Sequence, residues 1–99
     1  MVSWNEAKRR TNLAKHGMDL ADVASFDFEN ATIEEDRDAR GEQRFRAIGF
    51  VGDRLCFCVY TDRGDDIHAI SIRPASRKER RNYEKKVQLG LFGRGGRTS

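Results

Sequence analysis

Arg73 and Arg77 stand four residues apart, where a strand is expected to end and a helix to begin. A guanidinium is always charged, and its planar fork meets two oxygens of a phosphate or carboxylate at once. A helix start adds unsatisfied N–H groups that favour an anion. The pair therefore reads as a phosphate-directed cluster. Arg44, at the opening of another expected strand, is a third candidate. His16 has the ordinary pKa, near 6.5, that suits a general acid or base. Its alternative is structural, in the last turn of a helix beside Gly17, against the terminal carbonyls. Glu42 is either a base or the partner of Arg44 two residues on, and we favour the salt bridge. Strict alternation along the strand sets His68 opposite Ser71 and Arg73, so it fits such a site less well.

The charge distribution points the same way. Net charge is only +3, but residues 19–42 hold nine acids against Arg37 and Arg40, and residues 73–99 hold nine bases against Glu79 and Glu84. A basic end on a near-neutral chain suggests a focused phosphate-binding or acidic-partner face, or else a solvated helix face. Cys56 and Cys58 fall on one side of a strand, but lack the nearby ligands of a zinc site, so we expect buried, reduced thiols and no metal or cofactor. No apolar run approaches the roughly 18 residues of a membrane span. The start, Met1 to Glu6, has no basic and apolar leader. The cytoplasm is the expected compartment, without membrane association.

These residues need elements to position them. Ser3 and Glu6 have capping-box spacing and Asn5 is an alternative cap, so a helix is expected from about residue 5 to Gly17, with Ala7, Leu13 and Ala14 as its apolar stripe. Asp19 can cap a second short helix through about Ser25, with Leu20, Val23 and Ala24 inward. A short strand is expected over residues 30–35 and a polar loop over 36–41. Three runs follow, at 44–51, 55–61 and 67–73, separated by short glycine-containing turns that favour an antiparallel meander. The run 55–59 is apolar throughout and predicts a central strand covered on both faces. Pro74 ends the third run. Ser76 and Glu79 then form a capping box opening a basic helix through about Gln88, docked by Tyr83 and Val87. The result is one α+β domain over residues 1–89: two N-terminal helices, an antiparallel sheet of about four strands and a C-terminal basic helix. A glycine-rich, flexible tail fills residues 90–99. In this meander Arg44 opens the first run and Arg73 closes the third, which points the same way, so the two tend to lie at opposite ends. Arg73 and Arg77 are the safer cluster.

Several fragments, in order, resemble the BrnT family. They are Trp4-Asn5, Lys15-His16-Gly17, Gly41 to Phe45, Ile48-Gly49, Tyr60 to Gly64, Ile70 to Arg73, and Ser76 to Glu84. The resemblance covers about residues 3–86. It implies a RelE-like fold and a ribonuclease toxin that stops translation by cutting mRNA. It also implies a BrnA-type antitoxin with a ribbon-helix-helix domain, through which operator DNA is reached. The tail has no counterpart in the family.

RNA cleavage without a metal uses the neighbouring 2′-hydroxyl as nucleophile. The protein must help remove its proton, stabilise charge on the phosphate and protonate the leaving 5′-oxygen. Arginine suits the second task and is a poor base, so help is needed from Glu, His, Lys or Tyr. Tyr60 and Tyr83 can stack on bases of single-stranded RNA; their alternatives are core packing for Tyr60 and helix docking for Tyr83. Trp4 reads as a hydrophobic lid over the first helix. Lys15, Arg63, Arg80 and Arg81 are candidate RNA contacts, and Lys85 and Lys86 add general attraction. The competing function is a non-enzymatic nucleic-acid-binding or co-repressor module, although no helix-turn-helix precedes the basic helix.

Overall fold

The computed structural model describes residues 1–37 and 41–90. The elements run β1 (Val2–Ser3), α1 (Glu6–His16), a 3₁₀ segment (Leu20–Ser25), β2 (Thr32–Arg37), β3 (Gln43–Val51), β4 (Arg54–Arg63), β5 (Asp66–Pro74) and α2 (Arg77–Gln88). The sheet order is β1-β5-β4-β3-β2. β2 to β5 form the expected antiparallel meander, with β4 at the centre. Two expectations are corrected. The sheet has five strands and is mixed, because β1 pairs in parallel with Ile67 and His68 of β5. The second N-terminal helix is 3₁₀ rather than α, capped by Asp19 and Asp22. The tail from residue 91 and the loop residues 38–40 lie outside the described residues.

The hairpins are tight for a stated reason. Gly52 and Gly64 each open a two-residue loop, with φ of 63° and 71°, while no non-glycine residue has positive φ. A positive φ at the first loop position alone is the type II′ pattern, whose twist matches that of the flanking strands.

One face of the sheet carries the core. Leu20, Val23, Phe26 and Ala31 pack there against Ala47, Cys56, Cys58, Tyr60, Ala69 and Ile72. The sheet residues at its middle are small, which lets the irregular segment around residues 18–31 lie close to the strands. Gly49 is the tightest point: a Cβ there would come 2.9 Å from both Ala31 Cβ and Phe26 Cζ. Overpacking of this kind costs about 1–3 kcal/mol. Gly49→Ala is therefore expected to lower stability by that amount in urea unfolding, and an unchanged midpoint would contradict this packing. Both cysteines are buried free thiols, and burial pushes the Cys58 thiol up to about 12. The expected buried, reduced state agrees with that placement.

The expected apolar stripe on α1 is corrected too. Leu13 is 44% exposed and Ala7 and Ala14 are exposed, whereas Asn12 is the buried residue of the helix. Its amide nitrogen donates to Met18 O and Ile72 O, both at 2.8 Å, and its oxygen accepts from Ile72 N at 3.2 Å. β1 is only two residues long, so β5 has open backbone beyond His68. The Asn12 amide supplies the missing ladder partner at Ile72. Arg9 ties the same helix to the 3₁₀ segment through Asp19, at 2.9 Å. Ala24, expected inward, is exposed.

Candidate functional site

Alternation along β3 sends Phe45, Ala47, Gly49 and Val51 to the core and Arg44, Arg46, Ile48 and Phe50 to the second face of the sheet. Register partners share a face, so Phe57 and Val59 of β4 and Ser71 and Arg73 of β5 join them. β4 is thus central but only part-covered on this side, where Phe57 and Val59 are half-buried.

α2 packs over one end of this face. Its capping box is as expected. The Tyr83 ring meets Phe50 edge-on at 5.8 Å, its hydroxyl donates to Asn30 O at 3.0 Å, and Lys86 pairs with Glu34 at 2.9 Å. A cleft of about 250 Å³ remains beneath the helix, lined by Thr32, Glu34, Arg46, Lys78, Asn82 and Lys86 among others. Tyr83 therefore serves docking, one of its two expected roles, while Val87 is 40% exposed. α1 lies against β5, where Lys8, Thr11, Lys15 and His16 border Ser71.

Arg73 is held at the boundary between the covered and open parts. Its two terminal nitrogens donate to the Glu79 carboxylate at 2.9 and 2.8 Å, and its guanidinium lies 4.5 Å over the Phe57 ring. The Glu79 carboxyl is held below its ordinary 4.5, chiefly by Arg73 and against the opposing effect of burial. A depressed carboxyl pKa stabilises the fold above the unfolded value, and that stability is lost as pH falls through the folded value. Stability is therefore expected to fall below about pH 4.5, and less steeply in Glu79→Gln than in wild type. Identical acid limbs in urea titrations would contradict it.

Arg77 follows on the first turn of α2, exposed, and makes no ion pair among the described residues. Arg44 shares the face of Arg73 but not its end. Arg73 is level with Phe57 and Ile48, four residues along β3 from Arg44. With strand rise and spacing this puts their Cα atoms about 17 Å apart. The expectation of separate ends stands, and the face is common.

Charge is graded across this surface. On the β2 side, Arg46 pairs with Glu34 at 3.3 Å and Asp36 at 3.9 Å. On the β5 side, a groove of about 260 Å³ runs between α1 and the strand, lined by Lys8, Thr11, Lys15, His16, Ile70 and Ser71 among others. The acids expected to dominate residues 19–42 thus sit partly at one edge, and Lys15 and His16 border the other. His16 also closes α1 just before Gly17, so both of its readings agree with this placement. Arg63 ends β4, and Arg80 and Arg81 are exposed on α2.

Two sequence expectations change. Tyr60 is on the core face, 2% exposed, edge-on to Phe28 and stacked with Phe45. Its ring has no face to offer a base, and of its two expected roles it fills core packing. His68 lies on the side opposite to the one strict alternation gives. Between Val59 and Tyr60 the register shifts, so Ser71 pairs with Val59 while Ala69 pairs with Tyr60. The extra residue, Ile70, is a β-bulge that resets the alternation. His68, the partner of Thr61, therefore shares the second face with Ser71 and Arg73. Its Nδ1 is 2.9 Å from Ser3 Oγ. Burial, with Arg63 and Lys8, lowers its pKa against an opposing effect of Glu42. Glu42 itself, exposed just before β3, lies at this end of the sheet.

Sequence reasoning missed Asn12, the role of Glu79 as partner of Arg73, and Thr61, which is 5% exposed with a buried hydroxyl that makes no hydrogen bond. Among the described residues, no three His, Cys, Asp or Glu side chains converge as metal ligands, and no helix is long and apolar enough to cross a membrane.

A family model described as "Ribonuclease toxin, BrnT, of type II toxin-antitoxin system" matches residues 4–79. No curated protein matches the chain. The matched span includes α1, all of β2 to β5 and the first turn of α2, so Arg44, His68, Arg73 and Arg77 all fall within it. The chain belongs to the BrnT family of ribonuclease toxins of type II toxin–antitoxin systems.

Proposed function

We propose that the protein is a cytoplasmic, metal-independent endoribonuclease that cuts mRNA and so inhibits translation. Its substrate lies across the open part of the second sheet face. The observation that carries this reading is the union of Arg44 and Arg73 on one face, with a neutralised β2 edge and a basic β5 edge. A single RNA strand laid from β3 toward β5 meets first one arginine and then the other, about 17 Å on. In this reading each guanidinium holds a phosphate, and one of them stabilises the charge that develops when the 2′-oxygen attacks. Arg77 and the start of α2 add a further anion contact beside Arg73. Lys15, Arg63, Arg80 and Arg81 raise the local concentration of RNA by long-range attraction. His16 and Glu42 remain candidates for proton transfer from opposite borders of the face.

A partner that neutralises this toxin need only cover the same face. A BrnA-type antitoxin with a ribbon-helix-helix domain fits that task, and operator DNA is then reached through the complex. The test is RNA incubated with folded protein in excess EDTA. Fragments ending in 2′,3′-cyclic or 3′-phosphate are expected. Intact RNA bound with strong salt dependence would instead make the protein a binding module, with log affinity falling about 0.7 per phosphate neutralised on single strands.

A further inference from the structure

We propose that His68 is the general base of the RNA cleavage, acting on the phosphodiester that Arg44 holds. This rests on the ribonuclease reading above and adds a residue and a subsite to it.

The geometry is a row across the sheet. Asp36 of β2 pairs with Arg44. Arg44, next to Phe45, comes level with Thr61, next to Tyr60. Thr61 pairs with His68, and His68 pairs with Ser3 of β1. All five side chains belong to the second face, on the end that α2 leaves open. Arg44 and His68 thus flank Thr61, two strand spacings or about 10 Å apart at their Cα atoms. Two long side chains at that separation bracket one phosphodiester. Arg44 and Arg73, about 17 Å apart, do not. Between the bracketing residues sits the Thr61 hydroxyl, buried and without a hydrogen-bond partner. The β-bulge at Ile70 is what brings the imidazole to this side, and bulges recur beside active sites because they re-aim a side chain.

Ser3 Oγ, 2.9 Å from Nδ1, fixes the ring and leaves Nε2 for the substrate. With Nδ1–H donating to Ser3, Nε2 carries the lone pair that a base requires. The charged groups around it are Lys8 from α1, Arg63 from the end of β4 and Glu42 before β3. The two cations and burial outweigh Glu42, which favours the neutral imidazole at neutral pH, and the same cations attract RNA. In the step, Nε2 takes the proton of the 2′-hydroxyl and the 2′-oxygen attacks phosphorus. The bond from phosphorus to the 5′-oxygen breaks, giving a 2′,3′-cyclic phosphate. The leaving 5′-oxygen takes a proton from water on the open face, and the imidazolium returns its own to solvent.

The test is single-turnover cleavage of a labelled, mixed-sequence single-stranded RNA by wild type, His68→Asn and His68→Gln, from pH 5 to 9, with folding checked by thermal melting. Wild-type rate is expected to rise with pH through the neutralisation of one group and then level. Both variants should lose about 100-fold or more, lose that acid limb, and still bind a 2′-deoxy analogue of the RNA as wild type does. Added imidazole should partly restore a His68→Gly variant. Wild-type rate and an unchanged acid limb in folded His68→Asn would overturn the assignment while leaving the ribonuclease reading in place. RNA left intact by wild type would overturn that reading, and this one with it.

Discussion

Asn12→Ala is expected to remove roughly 3–5 kcal/mol of stability, a large part of the 5–15 kcal/mol that holds a domain of this kind together. The substitution is modest in volume, so the loss is not a cavity effect. It strands three backbone groups, Met18 O, Ile72 O and Ile72 N, all of which the Asn12 amide satisfies. Each buried polar group left unmade costs about 1–3 kcal/mol. For a domain of this length, the expected loss corresponds to a fall in thermal midpoint of more than about ten degrees. Asn12→Asp should recover little, because a carboxylate accepts from Ile72 N but cannot donate to the two carbonyls. A loss under about 1 kcal/mol in Asn12→Ala, by urea or thermal unfolding, would contradict the ladder role.

That residue also marks where the sequence stops being legible. The strands of the meander, the capping boxes, the hairpin turns and the central β4 are encoded locally, by alternation, caps and glycine-containing turns. α1 is not docked by such a pattern. Its expected stripe of Ala7, Leu13 and Ala14 is exposed, and the helix is held to the sheet by an amide that pairs with a strand 60 residues away. Nothing near Asn12 in the chain announces a bare strand edge. β1 escaped for the same reason: two residues acquire strand geometry only by pairing with β5.

The candidate site divides along the same line. The basic C-terminal half and the Arg73–Arg77 junction follow from neighbouring residues. The common face of Arg44 and Arg73 depends on two strand registers, β3 on β4 and β4 on β5, and the side taken by His68 depends on a single inserted residue, Ile70. Strict alternation gave the opposite answer for His68 because a bulge leaves no composition signal there. The Arg73–Glu79 pair was within reach, since a capping-box glutamate six residues after an arginine brings the two to one turn of backbone. Tyr60 reads equally well as core or platform until its face is known.

Arg73→Ala should slow RNA cleavage by about 10²–10³, the usual loss when one donor to a developing oxyanion is removed. The substitution also breaks the Glu79 pair, so a lower rate by itself would not separate chemistry from the docking of α2. Glu79→Ala makes the separation. It breaks the same two hydrogen bonds but leaves the cation and frees its fork for phosphate. It should melt earlier than wild type, through loss of the capping box at Ser76, and still cleave RNA. Equal inactivity of the two variants in a single-turnover assay would mean that Arg73 acts by holding α2, and would remove it from the phosphate site.

The most direct test of where RNA is bound is an amide NMR footprint on the whole chain, using a 2′-deoxy-substituted single strand that the enzyme cannot cut. The open second face predicts shifts at Arg44, Thr61, His68, Ser71 and Arg73, with β2 outside the footprint beyond Asp36. Shifts confined to the outer surface of α2, leaving β3 to β5 unchanged, would contradict the account.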